Sequence, residues 1–117
     1  MFYTSGVPEI DVNQLAIYLQ SNTDSPLQLI DVRERNEVAI AALEGFKVLP
    51  LSEFSQWSED ILTRLDADAE TIVMCHHGMR SAQLCQWLIN QGFTNVKNVV
   101  GGIDAYARFI DPNIARY

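Results

Sequence analysis

The segment Thr71-Ile72-Val73-Met74-Cys75-His76-His77-Gly78-Met79-Arg80-Ser81-Ala82 holds the residue types with the most chemistry in them. An apolar, β-prone stretch ends on Cys75, a short loop containing Gly78 follows, and a helical pattern begins near Ser81. This order places a thiol at a helix N-terminus. Free cysteine titrates near pH ~8.5, and unpaired amides with a neighbouring cation favour the thiolate, which is the nucleophilic form. The loop from Cys75 to Arg80 is short enough for successive N–H groups to curl inward as an anion-binding nest. Gly78 permits a positive φ or the close approach of a ligand. Arg80 offers a planar fork of donors to an oxyanion. Ser81 reads as the N-cap, with a hydroxyl able to bond a backbone amide or the sulfur. The spacing predicts a thiolate beside an anion site, with His76, His77, Gly78, Met79, Arg80 and Ser81 as the cradle.

Other residues have blander readings. Cys85 falls among Leu84, Trp87, Leu88 and Ile89 and is expected in the core. His76 and His77 are adjacent, which makes joint metal ligation with Cys75 awkward, and no second Cys or His cluster completes a tetrahedral set. No metal site is expected. The two histidines are read as suppliers of loop amides and local positive potential. Gly101 and Gly102 read as a tight turn too short for a dinucleotide fingerprint, and Tyr106 as packing.

The elements that position the cysteine follow from periodicity. Gln28–Val32, Lys47–Leu49, Thr71–Met74 and Val96–Val100 are short, apolar and rich in β-branched residues, as in strands covered on both faces. Helical patterns alternate with them: a first helix capped by Asp11, then Glu34–Ala42, Trp57–Leu65, Ser81–Gln91 and Ile103–Phe109. This alternation predicts one α/β domain over residues 1–117, with a mainly parallel sheet of about five strands and helices on both faces. Residues 111–117 read as a loosely docked tail. Ligands of such sheets gather at the carboxyl ends of the strands, where Cys75 would lie.

Bulk properties narrow the function classes. The chain has 117 residues, 48% of them hydrophobic, enough for one core without disulfides or structural metal. Two cysteines ten residues apart form no disulfide framework and suit a reducing compartment. Residues Met1–Gly6 lack a basic leader, and no stretch approaches the ~18 apolar residues of a membrane span, so a cytoplasmic protein without membrane contact is expected. A net charge of −7 argues against a nucleic-acid partner. It also means that local cations and amides must attract any anionic substrate.

The loop Cys75-His76-His77-Gly78-Met79-Arg80-Ser81 resembles the C-x-x-G-x-R-S active-site loop of the rhodanese family. Three more segments resemble the family in the same order: Leu29-Ile30-Asp31-Val32-Arg33-Glu34, Leu49-Pro50-Leu51-Ser52 and Val100-Gly101-Gly102-Ile103-Asp104-Ala105-Tyr106. The resemblance runs from Ile10 to about Phe109. It departs at Ala41-Ala42-Leu43-Glu44-Gly45, where the family often has G-H-I-P-G, so no histidine role carries over to Ala42.

The resemblance implies a sulfurtransferase with Cys75 as nucleophile and persulfide carrier, Arg80 orienting the donor, and Asp31 and Arg33 in supporting positions near the loop. It implies a small anionic sulfur donor such as thiosulfate, an acceptor such as cyanide, a thiol or a protein cysteine, and no cofactor. A different class stays open: a non-enzymatic persulfide carrier or regulatory protein-binding module. Related phosphatases and arsenate reductases have a loop one residue longer, which disfavours that third reading.

Overall fold

The computed structural model describes residues 6–21 and 27–117; Met1–Ser5, on which most of the leader argument rests, lie outside the described residues. The strands are β1 (Glu9–Ile10), β2 (Leu27–Asp31), β3 (Lys47–Val48), β4 (Glu70–Met74) and β5 (Val96–Val99). They form one five-stranded sheet in the order β1-β5-β4-β2-β3, and every neighbouring pair is parallel. The helices are α1 (Val12–Gln20), α2 (Arg35–Ile40), α3 (Phe54–Trp57), α4 (Ile61–Arg64), α5 (Met79–Asn90) and α6 (Gly102–Phe109).

Alternation along the central strand β4 sends side chains to two separate cores. Ile72 and Met74 join Val12, Leu15, Val99 and Ile103 on the face covered by α1 and α6. Val73 and Cys75 join Trp57, Ile61, Leu84, Cys85 and Leu88 on the face covered by α3, α4 and α5. Cys85 is buried as expected, and burial pushes its thiol up to about 12. Asp11 caps α1 in a reciprocal box: its carboxylate accepts the Gln14 N–H at 2.8 Å, and the Gln14 side chain accepts the Asp11 N–H at 2.9 Å.

Two elements differ from the expectation. β1 has only two residues, too few for a period, and exists because Glu9 and Ile10 pair with Asn98 and Val99. The helix expected over Trp57–Leu65 is instead a chain of single turns that starts earlier, with 3₁₀ turns at Leu51–Glu53 and Ser58–Asp60 flanking α3. Leu51, Phe54 and Trp57 recur every third residue and all face the core. That period matches the three-residue 3₁₀ turn. The Trp57 indole N–H also donates to the Pro50 carbonyl at 2.9 Å, pinning the segment to the end of β3.

Candidate active site

Cys75 directly follows β4 at the carboxyl edge of the sheet and is 1% exposed. Its Sγ accepts the Gly78 N–H at 3.1 Å and lies 3.2 Å from Ser81 Oγ. Gly78 is the N-cap of α5 with φ 102, and a Cβ there would press at 3.1 Å on the Val99 carbonyl oxygen. Glycine is therefore required twice over, by its conformation and by its contact with the end of β5. From the other side α6 grips the loop: the Ile103 N–H donates to the Cys75 carbonyl at 3.0 Å, and the Asp104 N–H to the His76 carbonyl at 3.1 Å. The Gly102 backbone runs so close that a Cβ would collide with the carbonyl oxygens of Cys75 and His76. Two loop carbonyls are thus held by α6. The first-turn N–H groups of Met79, Arg80 and Ser81 have no carbonyl partner four residues back, so the head of α5 carries positive potential.

Several assignments from the sequence change in detail. α5 begins at Met79, not Ser81, so Ser81 is a buried residue of the first turn rather than the N-cap, and its hydroxyl lies between Cys75 Sγ and Asn98 Oδ1, 2.5 Å from the latter. Arg80 meets an anion, as its awkward place at a helix start implies, but the anion is Glu37, bound through both terminal nitrogens at 2.7 and 3.0 Å. That guanidinium holds the Glu37 carboxyl down at about 2. The fork expected to orient a donor is therefore already occupied by a carboxylate. His76 is pushed below the usual histidine range, chiefly by burial, which works against the positive charge expected of it. His77 and Met79 are exposed.

Asp31 and Arg33 form a buried ion pair at 2.7 Å. The Arg33 guanidinium also donates to the Ala41 carbonyl at 2.8 Å and the Tyr117 hydroxyl at 2.9 Å. Arg33, itself held by Asp31, thus ties the end of α2 and Tyr117 to the carboxyl edge of β2. Within segment 111–117, read as a loosely docked tail, Arg116 and Tyr117 make specific contacts although both are exposed. Tyr117 stacks on His76 with ring centres 3.9 Å apart and planes within 7°, and its hydroxyl donates to Glu37 at 2.8 Å.

Glu37, Asn98 and Tyr117 are the site neighbours that sequence reasoning missed. Asn98 left a signal, a polar side chain inside the apolar run Val96–Val100; Tyr117 left none, being far along the chain from every partner. His76, His77 and Asp104 each bring one potential metal-ligand atom within 4.8 Å of the others. Asp104, however, is already bound by Arg116 at 3.0 Å, and the His76 ring lies against those of His77 and Tyr117.

Among the described residues no helix is long and apolar enough to cross a membrane. A chloroplastic protein of Arabidopsis thaliana, Rhodanese-like/PpiC domain-containing protein 12, is 46% identical over 112 residues, 95% of this chain, although the chain spans only 38% of that relative's length. The thiosulfate sulfurtransferase GlpE of Haemophilus influenzae is 32% identical over 80 residues, 68% of this chain and 72% of its own. A rhodanese-like domain protein from Staphylococcus aureus superposes with a TM-score of 0.75 at 24% identity, over 95% of this chain and 99% of the other, and so shares its fold. The family description that matches residues 15–109, the rhodanese-like domain, takes in β2 to β5, the cysteine loop and the α6 grip upon it. The chain belongs to the rhodanese-like sulfurtransferase family.

Proposed function

We propose that the protein moves sulfane sulfur from thiosulfate, or a related small anionic donor, to a thiophilic acceptor through a persulfide on Cys75. The observation that carries this reading is the Sγ of Cys75 at the head of α5, with an amide donor at 3.1 Å and a hydroxyl at 3.2 Å. In the first half reaction the thiolate attacks the outer sulfur of the donor. The new Sγ–S bond forms as the donor's S–S bond breaks, and sulfite leaves with the bonding pair. In the second, cyanide, a thiol or a protein cysteine attacks the outer sulfur and Cys75 departs as thiolate. A covalent intermediate of this kind requires ping-pong kinetics.

Preorganised donors supply the stabilisation. The outer persulfide sulfur is anionic, and the loop amides with the first turn of α5 are its natural counter-charge. Arg80, neutralised in part by Glu37, serves more to fix the loop than to hold the donor. A reducing compartment, the cytoplasm in our reading, suits a reaction that begins from a free thiol.

The test is incubation with thiosulfate followed by intact mass measurement. The wild type is expected to gain the mass of one sulfur atom, to lose it on adding cyanide with release of thiocyanate, and to show neither step as Cys75→Ser. An unmodified wild-type protein would refute the reading. A loaded protein discharged by protein thiols but not by cyanide would mark a carrier.

A further inference from the structure

Ser81 has one hydroxyl proton and two acceptors within reach: Cys75 Sγ at 3.2 Å and Asn98 Oδ1 at 2.5 Å. The orientation of the Asn98 amide is settled by chemistry. Its nitrogen donates to the Gly78 carbonyl at 3.0 Å, and a carbonyl can only accept, so the oxygen must be the atom facing Ser81. All three side chains are buried, with Cys75 1%, Ser81 0% and Asn98 2% exposed, so water cannot supply a missing partner freely. We infer that Asn98 is a positioning residue that governs the charge state of Cys75 by competing with its sulfur for the single Ser81 proton.

The consequences differ for the three states of the cysteine. As a thiol, Cys75 donates S–H to a Ser81 lone pair while Ser81 donates to Asn98, and every group is satisfied. As a thiolate, the sulfur has lost its proton to solvent and draws the Ser81 proton to itself. Asn98 Oδ1 then faces a hydroxyl lone pair at short range with no donor, an unfavourable state for a buried acceptor. As a persulfide, the charge sits on the outer sulfur and Sγ is a neutral bridge, so the Ser81 proton returns to Asn98. Asn98 therefore disfavours the thiolate relative to both thiol and persulfide, and drives sulfur onto the cysteine.

This last step rests on the proposed sulfur transfer; the effect on ionisation does not. The charged and titratable groups around the cysteine loop are Arg80 and Cys85 on α5, His76 and His77 on the loop, and Asp104 on α6, with Glu37, Arg33 and Tyr117 beyond Arg80. Asn98 is uncharged, and its replacement leaves all of them in place. Gly78 also keeps a second donor for its carbonyl, the Ala82 N–H at 3.3 Å.

The thiolate absorbance of Cys75 is titrated in wild type, Asn98→Leu, Ser81→Ala and the double variant, with Cys75→Ser as the blank. Asn98→Leu is expected to lower the midpoint by about half to one pH unit, and the same change in the Ser81→Ala background is expected to do nothing. A midpoint that stays or rises, or an equal shift with and without Ser81, would overturn the inference. A wild-type measurement covers a variant that fails to fold. The ¹³C shift of the Asn98 side-chain carbonyl should move with the Cys75 titration, and a flat response would equally overturn it. At a fixed ratio of thiosulfate to sulfite above the midpoint, Asn98→Leu should also carry about three- to tenfold less persulfide per thiolate. Absence of persulfide in the wild type would sink the proposed function while the titrations still decide the role of Asn98.

Discussion

At the scale of single residues, the site is governed by who occupies whose donors. Arg80 and Glu37 satisfy each other, so the negative charge that the loop arginine attracts is intramolecular. The pH dependence follows from the sign of the shift. The Glu37 carboxyl lies at about 2 in the folded protein, below its ordinary value, so its contribution to stability is complete above the ordinary carboxylate range and disappears as pH falls from there through about 2. Melting temperatures of wild type and Glu37→Gln between neutral pH and strong acid should therefore converge in acid. A constant gap would show that Glu37 acts without its charge. The Cys75-x-x-Gly78-x-Arg80-Ser81 spacing was readable in the sequence because loop and helix start are local. Glu37 was not read as a partner because it lies 43 positions from Arg80.

At the scale of elements, two helix starts meet at the cysteine, α5 facing its sulfur and α6 its carbonyl. The second depends on Gly102, which has φ 58 and no room for a Cβ. Gly102→Ala is expected to force the start of α6 away from Cys75 and His76 and to release the two carbonyls from their amides. The loss should amount to about 1–3 kcal/mol of stability, seen in denaturant midpoints, with persulfide formation falling at least tenfold. Wild-type stability in that variant would mean the grip is dispensable. The sequence pointed to a turn at Gly101-Gly102, since paired glycines mark one. That the turn presses on the cysteine loop depends on β4 and β5 being neighbours.

At the scale of the whole molecule, Tyr117 and charge both bear on access to a thiol that is 1% exposed. Tyr117 ties His76, Arg33 and Glu37 together, so Tyr117→Ala should cost about 1 kcal/mol through the lost stacking and speed alkylation of Cys75. Tyr117→Phe, which keeps the ring but not the hydroxyl, should fall between. Unchanged alkylation in both would show that Tyr117 does not limit entry. The net charge of −7 repels an anionic donor until the loop amides take over at short range. Raising ionic strength shortens the screening length from ~30 Å near 0.01 M to ~8 Å at physiological salt. For thiosulfate, kcat/KM is therefore expected to rise over that interval. A fall would mean that a long-range attractive field guides the donor.

By itself the sequence determined the α/β class, four of the five strands, the placement of Cys75 between a strand and a helix, and the burial of Cys85, because each is written in short-range pattern: alternation, helical period, turn residues. The tertiary structure decided the fifth strand, the broken turns before β4, the Glu37 partner of Arg80, the Ser81–Asn98 contact beneath the sulfur and the stacking of Tyr117 on His76. These arise where segments distant in sequence share the carboxyl edge of one sheet. Which donor meets which acceptor there is set by strand order and register, and no local pattern encodes it.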